Sequence, residues 1–228
     1  MARPIRIERP DSWYHVFGRG IERREIYRDD RDRRHFIELL EKLHERYRFR
    51  IHAYVLMGNH YHAIFQTPDA NLSEGMQWFH GSYSAWFNAR HRRVGPLFQG
   101  RYRALLVENA FWAYRLSFYL HLNPLRIASM GLDKKGKVLE TAIVLEQVDE
   151  RANRQMAIYR AEAKRMLTHG GESSLAERLR DSVAIGSAEF GSRIRKEAAN
   201  RLSPGIADKR SLRQRISPEA VKGWVEAI

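Results

Sequence analysis

The first part of the chain combines short apolar runs with longer amphipathic stretches. Residues 13–17 are aromatic or β-branched and are followed by two glycines, which predicts a first strand. Residues 29–48 carry apolar side chains at helical spacing among many charges. They predict an amphipathic helix, with Asp29 and Asp30 as candidates for its cap.

Two further apolar runs, residues 51–57 and 61–66, flank a Gly-Asn pair and predict a hairpin with a tight turn. The aromatic-rich stretch that follows predicts a second helix up to about residue 89. Either Asn71 or Ser73 is expected to cap that helix.

A fourth strand is predicted over residues 103–108 and a third helix over 109–122. Pro124 disfavours helical geometry at Asn123, so we expect this helix to end there. The resulting order is β-α-β-β-α-β-α, with two βαβ-like halves around a hairpin. It predicts an α+β fold with a ferredoxin-like split βαβ core, in which an antiparallel sheet carries its helices on one face.

The pattern changes after residue 131, where a lysine-rich stretch precedes a helix-like and basic remainder. We therefore expect a first domain over residues 1–132 and a helical C-terminal region over 133–228. Within that region, Ser187 precedes a basic stretch with capping-box spacing. Such helices could form a helix-turn-helix-like reader of duplex DNA or a cover for the core, and the sequence favours neither.

Composition narrows the possible functions. The chain has 228 residues, is 43% hydrophobic and carries a formal net charge of +13. That composition is sufficient for a folded core, and so large a positive excess favours nucleic acid as the partner. The chain has no cysteine, which excludes disulfides, thiolate zinc sites and cysteine nucleophiles. The N-terminal residues resemble no signal peptide and no run is long enough to span a bilayer, so we expect a cytoplasmic, nucleoid-associated protein without a membrane partner.

A His-x-His motif opens the third predicted strand. Side chains alternate along a strand, so His60 and His62 share one face and can bind one divalent metal ion with open positions left. Two unrelated histidines on a half-exposed strand would give the same pattern, so this motif alone is weak.

A tyrosine and an asparagine lie late in the third predicted helix. Tyr119 and Asn123 are separated by one helical turn and therefore share a face. A tyrosine hydroxyl is a poor nucleophile at neutral pH, and a metal that polarises the phosphate oxygens would assist it. By itself this pair equally fits a core tyrosine and a residue that ends a helix before proline.

Four stretches give the chain a recognisable likeness. They are VFGRGIERREIY at 16–27, YVLMGNHYHAIF at 54–65, FQGRY at 98–102 and YLHLNPLR at 119–126. In this order they resemble the single-tyrosine HUH transposases, most closely the REP-associated tyrosine transposases of the IS200-like branch. The resemblance covers about residues 10–131 and is far more specific than the His-x-His motif.

The resemblance implies a metal-dependent nuclease and strand transferase that acts on single-stranded or hairpin DNA. His60, His62 and Asn123 would be the metal ligands, and Tyr119 would form a 5′-phosphotyrosine link. An imidazole–amide site with open water positions suits Mg²⁺ or Mn²⁺. Because each chain has one nucleophile, joining two DNA ends favours a homodimer.

Other tyrosines and one histidine are weaker candidates. Tyr54, Tyr102 and Tyr114 rank below Tyr119 because none has the asparagine partner. Tyr61 lies between the two histidines and is expected to point away from the metal, since side chains alternate along a strand. The helical position of His121 points away from the Tyr119 face, so a structural role is expected for it.

Basic residues with interleaved aromatic residues predict the DNA contacts. Arginines neutralise phosphates, and aromatic rings stack on unpaired bases. The candidates are Arg19, Arg23, Arg24, Arg90, Arg92, Arg93, Phe98, Arg101, Tyr102 and Arg103. A solvated basic loop anchored by Phe98 is the plainer interpretation.

Two alternative functions stay open. A nicking replication initiator or relaxase would use the same chemistry without joining ends. A non-catalytic nucleic-acid-binding regulator could keep the fold, although it would have no need of all four candidate site residues.

Overall fold

The computed structural model describes residues 7–128 and 183–201 together with positions 158, 161, 164 and 165. From 121 to 128, and at 201, it describes only the backbone. The elements are β1 (Ser12–Arg19), α1 (Asp30–Tyr47), β2 (Arg50–Met57), β3 (His60–Thr67), α2 (Leu72–Arg90), β4 (Arg103–Val107), α3 (Ala110–Ala128), β5 (Ala184–Ile185) and α4 (Ala188–Arg201). A short 3₁₀ turn, Ile21–Arg23, follows β1.

The strands form one sheet in the order β2-β3-β1-β4-β5. Its first four strands pair antiparallel, whereas β5 pairs parallel with β4. Strand β3 lies between β1 and β2, and β1 lies between β3 and β4, which is the split βαβ arrangement. The predicted fold class and element order are therefore confirmed.

Helices cover both faces of this sheet, so the expectation of helices on one face was wrong. Tyr14 and Val16 of β1 face a cluster that contains side chains of α1 and α2. Trp13 of the same strand faces a second cluster, which includes Leu116 and Leu120 of α3. Both alternating sets of strand side chains are apolar, so each face needs a cover.

The ends of α1 and α2 differ in how they are capped. Asp29 precedes α1, and its carboxylate accepts a hydrogen bond from the backbone N–H of Asp32, as predicted. Asn71 stands at the N-cap position of α2, but its side chain makes no capping hydrogen bond and instead donates from Nδ2 to the carbonyl of Tyr47. The hydroxyl of Ser73 bonds to the Glu8 carboxylate instead. Of the two predicted cap residues, Asn71 occupies the N-cap position but makes no side-chain capping bond, and Ser73 lies inside the helix.

Helix α3 continues past Pro124 to Ala128, so the predicted end at Asn123 was wrong. A proline lacks the backbone N–H and therefore removes one helical hydrogen bond. The bias of the preceding residue against helical geometry is a preference, and here the continuing helix overrides it.

Glu108 connects the end of β4 to the start of α4. Its carboxylate accepts the backbone N–H of Ser187 at 2.5 Å and the Ser187 hydroxyl at 3.0 Å. The Ser187 hydroxyl accepts the backbone N–H of Phe190 at 3.2 Å, which caps the helix. In a capping box, an acidic residue at position 190 would accept the backbone N–H of Ser187. Here Glu108, which lies 79 positions before Ser187 in the chain, supplies that carboxylate. Gly186 permits this approach, because an added Cβ would lie 2.6 Å from the Glu108 carboxylate.

Helix α4 packs onto the core. Phe190, Ile194 and Ala198 join the cluster beneath α1 and α2, and Glu197 forms an ion pair with Arg9. Of the two roles expected for the C-terminal region, residues 183–201 show the one that covers the core. The other predicted basic helices lie outside the described residues, and the division of the chain at residue 132 stays a prediction. None of the helices in the described part of the chain has both the length and the hydropathy needed to cross a membrane.

Candidate active site

His60 and His62 lie at the start of β3, on the sheet face covered by α3. Their ring centroids are 5.3 Å apart and the rings are nearly perpendicular. In the register of β1 and β3, Arg19 lies opposite His60 and Phe17 lies opposite His62. The predicted sharing of one face follows directly from this register.

Tyr119 of α3 lies next to this histidine pair. Its ring lies edge-on to the His62 ring, at 6.1 Å between centroids and 88° between planes. The side chain is 7% exposed and packs in the second cluster. Asn123 follows one helical turn later in α3, and its side chain lies outside the described residues.

A neighbouring asparagine defines which nitrogen of His60 carries the proton. Asn59 donates from Nδ2 to the carbonyl of Arg23 at 2.9 Å, so its Oδ1 faces the other way. That oxygen lies 2.6 Å from Nδ1 of His60 and can only accept. Nδ1 of His60 is therefore the donor, and Nε2 retains the lone pair that a metal needs.

His62 also has a partner at Nδ1, and sequence analysis missed it. Nε2 of His15 lies 2.9 Å from Nδ1 of His62, and His15 is fully buried. Strand alternation places His15 and Phe17 on one face of β1. The signal that could have found His15 was the pairing of β1 with β3, which puts Phe17 opposite His62.

Burial keeps these histidines neutral. Desolvation lowers the pKa of His15 to about 3, and desolvation together with the nearby charge of Arg19 lowers the pKa of His60 to about 4. Desolvation also holds the pKa of His62 well below its usual value, with the neighbouring histidines adding to the effect. Neutral imidazoles can coordinate a metal ion, whereas imidazolium cannot.

The donor set fits a two-histidine metal site. Both candidate ligands make their hydrogen bond through Nδ1, so this bond engages neither Nε2 atom. In the described part of the chain, no three His, Cys, Asp or Glu side chains converge as a metal cluster. His15 lies beside a candidate ligand, and further ligands would come from an amide or from water.

Three of the four competing tyrosines, Tyr54, Tyr61 and Tyr102, lie in the cluster on the other face of the sheet, whereas Tyr114 packs on the face of the histidine pair. Tyr61 points to the opposite side of the sheet, where its hydroxyl is 2.6 Å from Nε2 of His80. Gly18 allows this packing, because an added Cβ would lie 2.8 Å from the Tyr61 ring. Tyr54 also belongs to the opposite cluster, and burial raises its pKa to about 12.

Two aromatic residues expected to stack on DNA bases are buried instead. Phe98 is 5% exposed and Tyr102 is 6% exposed. The Phe98 ring stacks on His80 with a centroid distance of 4.0 Å. Both rings belong to the core around Tyr61, and their stacking on DNA bases stays a prediction.

Arg90 is also engaged by the fold. Its guanidinium bonds to Asp29 at 2.6 Å and to the fully buried Asp32. His91 contacts the same Asp32 carboxylate at 2.9 Å. The charge of Arg90 joins the end of α2 to the start of α1, and its contact with DNA stays a prediction.

Two arginines lie on the face of the histidine pair. Arg19 is exposed beside His60, and Arg103 is exposed opposite Phe17. The Arg103 guanidinium lies 5.5 Å from the Phe17 ring centroid. Together they give the neutral histidine site a positive border that suits phosphate.

The remaining basic candidates lie in loops. Arg23, Arg24, Arg92 and Arg101 are exposed, and Arg93 is half-buried. Arg24 forms an exposed ion pair with Glu22 at 2.5 Å. The Arg93 guanidinium lies 5.7 Å from the Phe87 ring centroid. Their contact with DNA stays a prediction.

We expect Arg90→Ala to lower the Tm clearly, because it leaves the buried Asp32 carboxylate short of a cationic partner. Arg92→Ala is the matched control, since Arg92 is exposed two residues later. Thermal unfolding of the two variants beside wild type checks this expectation. Equal Tm values would contradict the structural role of Arg90.

Comparison with known proteins identifies the family. A family model described as "Transposase IS200 like" matches residues 9–121, which include His60, His62 and Tyr119. Seven chains of solved structures match as well. One of them, a REP-associated tyrosine transposase bound to a REP hairpin, is 16% identical with a TM-score of 0.45, over 55% of this chain and 74% of that chain. No curated protein matches the chain. Through residues 9–121, the chain belongs to the IS200-like transposase family.

Proposed function

We propose that this transposase cuts and rejoins single-stranded or hairpin DNA with Tyr119 as its nucleophile. His60 and His62 would hold a divalent metal ion, Mg²⁺ or Mn²⁺, and Asn123 would be the third protein ligand. The observation that carries the proposal is the meeting of α3 and β3, where the Tyr119 ring lies 6.1 Å from the His62 ring.

The support comes from chemistry that the described residues can perform together. Both histidines of the pair make their hydrogen bond through Nδ1 and not through Nε2, and Asn123 is one helical turn after Tyr119 on the same helix. A bound divalent ion would polarise phosphate oxygens and neutralise the charge that develops on them. Phosphoryl transfer depends chiefly on such positioning and electrostatic stabilisation.

The proposed step exchanges one phosphodiester for another. The Tyr119 oxygen attacks phosphorus, and the bond from phosphorus to the 3′ oxygen breaks. The phenolic proton leaves tyrosine, and the 3′ oxygen takes up a proton to become a free hydroxyl. The downstream DNA stays attached through a 5′-phosphotyrosine. Attack by a 3′-hydroxyl reverses the step, so joining needs no nucleotide cofactor.

The charge of the site supports DNA as the substrate. Arg19 and Arg103 border the histidine pair, and the whole chain has an excess of 13 positive charges. Single-stranded or hairpin DNA is proposed because the resemblance to the single-tyrosine HUH transposases implies it. A hairpin presents such strands beside a folded stem, and palindromic DNA near the gene is the natural probe.

The polarity of the covalent link tests the proposal. Hairpin oligonucleotides from DNA flanking the gene would be labelled at either end, incubated with protein and Mn²⁺, and run on denaturing gels. We expect the 3′ label to migrate with the protein and the 5′ label to appear in a shorter strand with an extendable 3′-hydroxyl. A protein adduct that carries the 5′ label, or cleavage without any adduct, would refute the mechanism.

Neutralising the positive border should weaken DNA binding. In the double variant Arg19→Ala, Arg103→Ala, we expect the slope of log affinity against log salt to fall by about 0.7 for each lost phosphate contact. Arg34→Ala is the control, because this exposed arginine lies on α1, across the sheet. Fluorescence anisotropy over a salt series measures the slopes. An unchanged slope in the double variant would remove both residues from the DNA interface.

A further inference from the structure

His15 is a fully buried histidine whose hydrogen bond is made to a proposed metal ligand. Its Nε2 lies 2.9 Å from Nδ1 of His62, and the two rings are stacked with centroids 5.1 Å apart. The other ring nitrogen, Nδ1 of His15, is buried and has no hydrogen-bond partner among the described residues. The polar contact of this side chain is therefore directed at His62.

The two candidate ligands differ in the kind of partner they have. Nδ1 of His60 faces an amide oxygen of Asn59, which can only accept, so the proton position is fixed. Nδ1 of His62 faces an imidazole nitrogen of His15, which can either donate or accept. The state of His62 therefore depends on which of the two rings donates.

Only one arrangement of two neutral rings is compatible with metal binding. If His62 donates from Nδ1 to Nε2 of His15, then Nε2 of His62 keeps its lone pair. If His15 donates to His62, then His62 carries its proton on Nε2 and coordination through that atom is blocked. Each arrangement leaves Nδ1 of His15 buried and unpaired, as a donor in the first and an acceptor in the second. The two arrangements therefore have a comparable cost for burying the unpaired Nδ1 of His15, and a bound metal ion can stabilise the first over the second.

We propose that His15 is a positioning residue for the metal site: it accepts the Nδ1 proton of His62 and thereby directs the His62 Nε2 lone pair at the metal. The inference rests on the proposed role of His62 as a ligand. Partners of this kind orient ligand rings, and their loss typically reduces metal affinity by about 10–100-fold.

Measuring the affinity for Mn²⁺ distinguishes a positioning role of His15 from a role in packing alone. Mn²⁺ binding, followed by electron paramagnetic resonance, would be compared in wild type, His15→Phe and His15→Gln. Phenylalanine fills the space without an acceptor, so we expect affinity to fall by about 10–100-fold. Glutamine offers an amide oxygen and is expected to recover much of the loss. His52→Phe, at a buried histidine of β2 whose ring lies 4.2 Å from Trp13, is the matched control and should bind Mn²⁺ as wild type does.

Nuclear magnetic resonance of the wild type gives a test that needs no variant to fold. Long-range ¹H–¹⁵N spectra identify the protonated nitrogen of each imidazole, and with Mg²⁺ we expect His62 to be protonated at Nδ1. Protonation at Nε2 in the Mg²⁺-bound state would overturn the proposal, as would wild-type Mn²⁺ affinity in a folded His15→Phe protein.

A third variant tells the two possible failures apart. If His62→Ala loses Mn²⁺ binding while His15→Phe keeps it, the metal site stands and the role of His15 is wrong. If His62→Ala binds Mn²⁺ as wild type does, the proposed metal site is wrong and the role of His15 is overturned with it.

Discussion

Tyr119→Phe is expected to reduce DNA cleavage to background while leaving DNA binding nearly unchanged. The substitution removes only the oxygen that would attack phosphorus. The ring, which is 7% exposed and packs against the sheet, can keep its place. Labelled hairpin DNA on denaturing gels measures the covalent adduct, and anisotropy measures binding.

Tyr114→Phe is the matched control for this experiment. Tyr114 lies in the same helix α3, is half-buried and packs against the same cluster. We expect it to cleave like wild type. A protein–DNA adduct formed by Tyr119→Phe would contradict the assignment, and peptide mapping of that adduct would show which tyrosine is the true nucleophile.

The second large effect is expected from the histidine pair. His60→Ala and His62→Ala should each abolish cleavage, and EDTA should do the same to wild type, because both imidazoles would be needed to hold the ion. Added Mg²⁺ or Mn²⁺ should restore the EDTA-treated wild type but neither variant. His44→Ala, on the exposed side of α1, controls for the loss of a histidine elsewhere. Undiminished cleavage in EDTA would remove the metal from the mechanism.

The lowered pKa values add a pH signature to this prediction. Metal binding by an ordinary histidine weakens as pH falls through about 6.5, where the ring takes up a proton. The pKa of His60 is about 4 and that of His62 lies well below its usual value, mainly through burial. Mn²⁺ binding should therefore persist at about pH 5.5, where a solvent-exposed histidine pair with unshifted pKa values would already have lost it.

The elements that could be predicted from the sequence were those whose pattern is local. Apolar runs in β1 and β3 and helical spacing in α1 predicted the order of elements, and the alternation of side chains along a strand placed His60 and His62 on one face. The hairpin followed from its Gly-Asn turn, and the structure has β2 and β3 on either side of it.

The features that the sequence did not reveal depend on contacts between distant segments. The basic stretch after α2 suggested DNA contacts throughout, but Arg90 neutralises Asp32 from across the fold, and Phe98 stacks on His80. The role of His15 required the β1–β3 register, which no local pattern supplies. Likewise, the burial of both sheet faces depends on where α3 packs.

The strand β5 and helix α4 have a consequence for how the protein is made. Strand β5 pairs with the edge of β4, and α4 supplies Phe190 and Ile194 to the core. Both elements come late in the chain, since Ser187 lies 79 positions after Glu108. A nascent chain that has left the ribosome only as far as α3 thus contains the whole proposed site but has an open sheet edge and uncovered apolar surface. Premature termination before α4 should therefore yield aggregating fragments, and a frameshift in the later part of the gene would inactivate the transposase without touching a residue of its active site.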